Sequence, residues 1–184
     1  MLLRAAKLYD EAAAATTTTS GAALPRMLLI VTGKGPLRCA FEREAQLLAL
    51  RHVAIRTAFL TAEDYALLLG CADLGISLHA SSSGLDLPMK VVDMFGAGLP
   101  VAALDYDTLG ELVTPLVNGV TFADASQLAG HLSTVLSGFA TGEDTAGGPN
   151  PTLSRLREGA AAWAAVRWEE EWLRVAAPLF TDAP

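Results

Sequence analysis

The fold class follows from one stretch near the start of the chain, LLIVTGKGP at residues 28–36. Leu28–Thr32 is an apolar run that stops at Gly33, a pattern typical of a strand buried on both faces of a sheet. Pro36 suits the first turn of a helix, because the N–H that proline lacks would be unpaired there in any case. The stretch therefore predicts a strand, a glycine turn and a helix, in that order.

The same alternation continues along the chain. Further short apolar strands are expected at 53–57, 74–78, 100–104 and 120–122, and helices at 2–15, 36–50, 63–70, 88–96, 108–113 and 126–136. Thr61 is a possible N-cap of the helix at 63–70. Strands that alternate with helices predict an α/β fold, with a Rossmann-like, doubly wound parallel sheet flanked by helices.

Composition excludes several classes of protein. The 184 residues fit one ordinary domain, and 52% of them are hydrophobic. Thirteen basic and 20 acidic residues give a net charge of -7, which argues against a broad nucleic-acid surface. The two cysteines, Cys39 and Cys71, are too few for a disulfide-dense scaffold or a cysteine-based zinc cluster. We expect neither a signal peptide nor a transmembrane segment, because no stretch approaches about 18 uncharged apolar residues.

Four segments are expected. Residues 1–24 form a helix and a low-complexity loop, 25–140 the main domain, 141–151 a Gly/Pro loop, and 152–184 a helix that packs on the domain. A long helical pattern over 153–173 carries Trp163, Trp168 and Trp172, of which the last two are four residues apart and share a helix face. We expect these rings to hold the last helix on the domain; the alternative is that they dock on a partner domain.

Ligands in open α/β sheets bind at the carboxyl ends of the strands. The loop after the first strand, Gly33-Lys34-Gly35, allows a phosphate close to the backbone and adds one cation. Its spacing is neither a Walker A loop nor a dinucleotide fingerprint. An ordinary strand–glycine–helix turn is therefore an equal alternative.

A second loop leads into the helix at 88–96. Asp86 lies in this loop, and Lys90 and Asp93 are three residues apart on the helix, so that their side chains can share a face. Lys90 suits a phosphate and Asp93 suits paired sugar hydroxyls. The alternative is an exposed ion pair worth less than about 1 kcal/mol. Two of the only three lysines in the chain, Lys34 and Lys90, fall in these two loops.

Two other chemistries are disfavoured. Asp105-Tyr106-Asp107 after the fourth strand has the Asp-x-Asp pattern of manganese sites, but no further carboxylate or histidine accompanies it at ligand spacing. His79, the serines at 81–83 and Asp86 suggest a hydrolase triad. The Gly-x-Ser-x-Gly elbow of such enzymes is absent.

Taken together, the motifs resemble one family. They are TGKGPL at 32–37, AEDY at 62–65, ADLG at 72–75, LHASSSGLDLPMKVVDMFG at 78–96, LPV at 99–101, ELV at 111–113, Asn118-Gly119 and RWEEEW at 167–172. In this order they are similar to the chitobiosyldiphosphodolichol beta-mannosyltransferase family of GT-B glycosyltransferases. The resemblance runs from about Leu2 to Leu179.

The resemblance implies the C-terminal, donor-binding domain of a GT-B enzyme. The family transfers mannose, with inversion, from GDP-mannose to dolichyl-diphosphate chitobiose on the cytosolic face of the endoplasmic reticulum. This step adds the first mannose to the lipid-linked oligosaccharide for N-glycosylation. No cofactor and no catalytic metal are expected. Expected partners are GDP-mannose, the dolichyl acceptor held through an N-terminal domain, and a membrane-anchored protein or other mannosyltransferases of lipid-linked oligosaccharide synthesis. No nucleic acid is expected.

The resemblance also implies roles for individual residues. Gly33, Lys34 and Gly35 would lie near the diphosphate, Asp93 near the ribose, and Asp86 and Lys90 near the sugar phosphate. Glu63 and Asp64 would lie near the base. The full set expected to bind the donor is Gly33, Lys34, Gly35, His79, Ser83, Gly84, Asp86, Lys90, Asp93 and Glu111.

No residue of this chain is assigned as the general base, because the family resemblance places that group in the N-terminal half. We therefore expect donor binding without transfer by the chain alone. Two alternatives remain open: the donor subunit of a split glycosyltransferase, and a truncated non-catalytic paralogue or interaction module.

Overall fold

The computed structural model describes residues 1–18, 23–80, 83–139 and 148–181. Its strands are β1 (Met27–Thr32), β2 (Val53–Ala58), β3 (Gly75–Ser77), β4 (Val101–Leu104) and β5 (Gly119–Phe122). Its helices are α1 (Leu2–Thr18), α2 (Arg38–Leu47), α3 (Ala62–Cys71), α4 (Met89–Gly96), α5 (Ala125–Leu136), α6 (Pro151–Ala165), α7 (Trp168–Glu171) and α8 (Pro178–Thr181). A 3-10 turn spans Leu109–Glu111, and a π-helical turn spans Trp172–Ala176.

The parallel α/β class is confirmed, and each expected strand forms within two residues of its predicted bounds. In the described residues, the strands hydrogen-bond as two sheets, in the orders β1-β2 and β3-β4-β5, rather than as one continuous ladder. Met27 pairs with Val53 at the start of the first sheet, and Gly75 pairs with Val101 at the start of the second. One apolar core packs against both sheets and joins them without a shared ladder.

Helix α1 connects the two sheets. It packs along α5 and across β2. The buried Tyr9 hydroxyl donates a hydrogen bond to Pro25 O at 2.8 Å. Asp10 Oδ1 accepts from the backbone N–H groups of Arg51, His52 and Val53 at 2.9, 2.6 and 3.1 Å. These bonds satisfy polar groups at the entrance of β2 that would otherwise be costly to bury.

Helix α1 extends past the predicted end at residue 15. The Thr16 hydroxyl donates to Ala13 O at 3.0 Å and accepts from Leu24 N at 3.3 Å. The hydroxyl therefore bonds within the helix instead of ending it, as threonine can when it bonds to an earlier carbonyl.

A second apolar cluster lies under α4 and α6. It contains Phe95 and Val101 together with Ala160 of α6. Trp163 packs against this cluster, with its ring centroid 5.2 Å from that of Phe95. Asn150 caps α6 by accepting from Leu153 N at 2.9 Å, which fixes the start of this helix.

The expectation of one helix over 153–173 is wrong. The backbone is extended at Val166 and Arg167, with ψ of 115° and 145°, so that α6 and α7 are separate. Trp168 and Trp172 do share a face, and their rings stack at 5.6 Å. Trp163 packs on the domain as expected, but Trp168 and Trp172 do not hold α7 there, because Trp168 is 76% exposed and neither of these two rings joins a core cluster. Of the expected 141–151 loop, residues 141–147 lie outside the described residues, and Pro151 begins α6.

We predict that Gly159→Ala lowers the free energy of unfolding by about 1–3 kcal/mol or more. A Cβ at Gly159 would lie 2.1 Å from the carbonyl oxygen of Val117, so α6 would have to move. Gly130→Ala in α5 is the matched control, because a Cβ there meets no atom within 4 Å. Alanine favours helix, so the control should be neutral or stabilising by up to about 1 kcal/mol. Urea unfolding of both variants measures the difference; equal stability would contradict the packing of α6 on Val117.

We predict a loss of stability at alkaline pH that Tyr9 controls. Burial raises the pKa of Tyr9 to about 12, above its ordinary value of about 10. Because the folded-state pKa is the higher one, the stabilisation is complete below pH ~10 and is lost between about pH 10 and 12. Chemical denaturation across this window should show the decline in the parent chain and in Tyr65→Phe, and a shallower decline in Tyr9→Phe. Identical slopes in all three would refute the prediction.

Candidate functional site

A cavity of about 750 Å³ opens at the carboxyl ends of β1 and β2. Thr32 and Gly33 follow β1, and residues 59–62 follow β2, so two strand ends form one wall. Side chains of α3 and α4 form the other walls, with Tyr65 on α3 and Lys90 on α4. This is the edge at which α/β sheets bind ligands, and the volume is that of an ordinary small-molecule site.

Lys90 is held between two groups. Its Nζ lies 4.4 Å from the centroid of the Tyr65 ring and 3.4 Å from Asp93 Oδ2. The expectation that Lys90 and Asp93 share a helix face is confirmed. Both side chains are well exposed, so the ion pair itself contributes little to stability. The contacts matter for position instead, because the Tyr65 ring and the Asp93 carboxylate restrain the Lys90 ammonium group at the cavity wall.

The loop after β1 reaches the same cavity. Gly33 has a φ of 141°, and a Cβ there would meet open space, so the conformation favours glycine and the cavity side stays clear. Its N–H donates to Ala58 O at 3.0 Å, which ties the two strand ends together. Lys34 Nζ lies 5.5 Å from the centroid of the Phe59 ring, a residue that lines the cavity. Among the described residues, Lys34 and Gly35 do not themselves line the cavity, and the Gly35 carbonyl accepts from Arg38 N at 3.3 Å.

Thr61 caps α3 as expected, since its hydroxyl oxygen accepts from Asp64 N at 3.1 Å. The cap turns the chain from β2 into α3 beside the cavity. Glu63 and Asp64 lie in the first turn of α3. Both are exposed, and in the described structure neither lines the cavity.

The remaining expected donor-binding residues form a separate group after β3. His79 Nε2 lies 2.7 Å from Asp86 Oδ2. Ser83 Oγ accepts from Leu85 N at 3.3 Å. Among the residues that the structure describes, His79, Ser83, Gly84 and Asp86 do not line the cavity, and neither does the exposed Glu111 of the 3-10 turn. The serines at 81 and 82 lie outside the described residues.

The loop after β4 supports this group. The Tyr106 hydroxyl donates to Asp86 O at 3.0 Å, and the Thr108 hydroxyl donates to Gly84 O at 3.2 Å. Burial, and then the charge of Asp86, raise the pKa of Tyr106, so the phenol stays protonated and able to donate. Tyr106 therefore braces a neighbouring loop. No group of three or more His, Cys, Asp or Glu side chains placed to hold a metal occurs in the described part of the chain.

Sequence reasoning did not identify four residues of this region: Phe59, Tyr65, Tyr106 and Thr108. Tyr65 lies 25 positions before Lys90, and no sequence spacing links them. The signal in the sequence that could have pointed to Tyr65 is an aromatic residue in the first turns of a capped helix, and for Phe59 it is an aromatic residue directly after a strand. Tyr65 meets Lys90 because α3 and α4 share an apolar cluster. Phe59 meets Lys34 because β1 and β2 pair and end side by side.

The cavity is lined by one cation, two aromatic rings, a glycine turn and one carboxylate, and a second cation, Lys34, lies beside it over the Phe59 ring. Lysines suit phosphate oxygens, and aromatic faces suit a planar ring. Asp93 is an acceptor for hydroxyl groups. The arrangement therefore fits an anionic ligand that also carries a planar ring and hydroxyls, which are the parts of a nucleotide. In the described residues, no helix has both the length and the apolar character of a membrane span.

No protein-family model matches the chain. Curated proteins do. The chain is 46% identical over 191 residues to "UDP-glycosyltransferase TURAN" of Arabidopsis thaliana, covering 99% of this chain and 40% of that protein. It is 46% identical over 159 residues to the chitobiosyldiphosphodolichol beta-mannosyltransferase of Homo sapiens, covering 86% of this chain and 33% of that protein. The Mus musculus protein of the same name is 45% identical over 185 residues, covering 100% of this chain and 36% of that protein.

The chain thus spans between a third and two fifths of the length of these relatives. The similarity covers most or all of the chain in each case. This agrees with the expected resemblance to the C-terminal part of such an enzyme.

Proposed function

This chain is homologous to the chitobiosyldiphosphodolichol beta-mannosyltransferases, and we propose that it is the donor-binding part of such a transferase. The donor is GDP-mannose. The reaction served is the addition of the first mannose to dolichyl-diphosphate chitobiose, in lipid-linked oligosaccharide synthesis for N-glycosylation. The place of action is the cytosolic face of the endoplasmic reticulum.

One observation carries this proposal: Lys34 and Lys90 both contact aromatic rings that line a single cavity at the strand ends. The chain has only three lysines and a net charge of -7. One cation in the cavity wall and a second beside it, on an acidic protein, are well suited to a diphosphate.

Each residue at the cavity has a proposed role. Gly33 and Lys34 bind the diphosphate, where the missing side chain of Gly33 leaves room for phosphate oxygens. Lys90 neutralises the phosphate next to the sugar. Asp93 accepts hydrogen bonds from the ribose hydroxyls. Phe59 and Tyr65 supply flat faces for the base and positions for the two ammonium groups.

Transfer needs more than this site. An inverting transfer requires a general base at the acceptor hydroxyl and a closed cleft that orients both substrates. Roughly two thirds of each relative's length has no counterpart here, and we propose that this remainder supplies the base, the acceptor site and the membrane attachment. The chain by itself then binds the donor and transfers no mannose. No catalytic metal is part of the proposal.

A second candidate donor follows from one relative. The Arabidopsis thaliana protein, similar over 99% of this chain, is named a UDP-glycosyltransferase. The cavity's cations and aromatic faces suit any nucleoside diphosphate sugar, so a UDP-sugar is the competing candidate. Titration with both nucleotides decides between them.

We predict saturable calorimetric binding of GDP and GDP-mannose to this chain, and weaker binding of UDP. Lys90→Ala should weaken GDP binding by about tenfold to a hundredfold, since a charge-assisted hydrogen bond contributes ~1.5–3 kcal/mol. Lys7→Ala is the matched control: Lys7 lies on α1 beside Glu11, and its loss should leave binding unchanged. Equal losses in the two variants would contradict the assigned site, and tighter UDP binding would favour the second candidate.

A companion series tests the positioning of Lys90. Tyr65→Phe keeps a ring under the ammonium group and should retain binding, whereas Tyr65→Leu should weaken it a few-fold, by the ~0.5–1 kcal/mol of an exposed cation–π contact. A chain that melts cooperatively yet binds neither nucleotide would instead support a non-catalytic paralogue or interaction module. Mannose transfer by this chain alone would refute the division of labour between donor and acceptor parts.

A further inference from the structure

A second groove, of about 580 Å³, lies between α2 and β2. Four arginines line it: Arg26, Arg38, Arg51 and Arg56. We call this feature the arginine groove. It shares no lining residue with the cavity at the strand ends. The donor-binding role proposed above does not use it.

The arginine groove is positively charged, whereas the chain as a whole is negatively charged. Residues 26–56 carry six of the 13 basic residues but only two of the 20 acidic ones. Glu42 is the acidic side chain among the groove's described lining residues. It is already occupied, because it accepts hydrogen bonds from Arg38 Nε at 2.8 Å and from the Thr57 hydroxyl. These bonds hold the pKa of the Glu42 carboxyl below its usual range.

The other three guanidinium groups are not neutralised. Arg26, Arg51 and Arg56 are exposed, and in the described part of the chain none forms an ion pair with a carboxylate. Asp10 lies near Arg51, but its Oδ1 accepts from three backbone N–H groups at the start of β2. The groove therefore presents a local positive field on an acidic molecule.

Apolar side chains lie between the arginines. Phe41, Leu50 and Ile55 line the groove and are only half-buried. Helix α2 has no fully buried residue at all. In the described structure, the exposed Leu37 and Leu47 at its two ends do not line the groove and are not part of this surface. Half-buried apolar side chains beside arginines are typical of a surface at a boundary between apolar and polar phases.

We infer that the arginine groove docks on an anionic phospholipid surface. Guanidinium groups bind phosphate oxygens in a bidentate manner, and their aliphatic stems lie on apolar surface while the charge stays with the headgroups. The half-buried apolar walls then face the boundary between headgroups and acyl chains. A nucleic acid would leave these apolar side chains uncovered and would face the acidic remainder of the molecule.

The test is flotation of the whole chain with phosphatidylcholine vesicles, with and without phosphatidylserine, at low and high salt. We expect binding only to the phosphatidylserine vesicles, and its loss at high salt. Arg51→Gln/Arg56→Gln should weaken binding roughly thirtyfold, because each basic residue near an anionic surface raises the affinity about fivefold. Arg51→Lys/Arg56→Lys should largely retain it, because the charges remain.

The matched control is Arg155→Gln/Arg167→Gln, which removes two exposed arginines outside the groove and gives the same net charge. It should bind vesicles like the parent chain. Equal losses in the two double glutamine variants would overturn the assignment, and so would equal binding to neutral vesicles. The groove could instead bind a free phosphate compound. Calorimetric binding of inorganic diphosphate that is lost in Arg51→Gln/Arg56→Gln, together with no binding to any vesicle, would show this and would contradict docking on a lipid surface. Thermal melts of all variants confirm that each is folded.

Discussion

The carboxylate of Asp10 is the constraint on which the arrangement of the molecule depends. One oxygen of this side chain accepts three consecutive backbone N–H groups at the entrance of β2, and the neighbouring Tyr9 hydroxyl anchors the chain just before β1. All four hydrogen bonds involve side chains of α1, which also packs along α5 beside the second sheet. Because the described strands form two separate ladders, this helix and the core beneath it set the position of one sheet relative to the other.

The cavity at the carboxyl ends of β1 and β2 depends on that position. One wall comes from the ends of β1 and β2, and the opposite wall comes from α4, which packs on β3 and β4. Lys34 belongs to the first half and Lys90 to the second. A small rotation between the sheets would move the two ammonium groups apart. In the proposed function, the core therefore acts as the positioning device for the diphosphate, and the exposed ion pair of Lys90 with Asp93 needs no large stability of its own.

The sequence predicted what local patterns encode. Short apolar runs predicted the strands, Thr61 predicted the cap of α3, and the three-residue spacing predicted the contact of Lys90 with Asp93. Contacts between distant segments were not predictable: nothing in the spacing of Tyr65 and Lys90 links them, and the two sheets follow from packing. The long C-terminal helix was mispredicted because the helical pattern of 153–173 continues through Val166 and Arg167, where the backbone is extended. The grouping of His79, Ser83, Gly84, Asp86 and Glu111 with the donor site stays a prediction.

We propose that one cavity, built from both halves of the molecule, holds the nucleotide part of a mannosyl donor. A crystal structure of this chain grown with GDP would show this directly. We expect density for the diphosphate between Gly33 and Lys90, with the ribose within hydrogen-bond distance of Asp93 and the base beside Tyr65 or Phe59. Nucleotide density at any other surface, with this cavity empty, would contradict the assigned site.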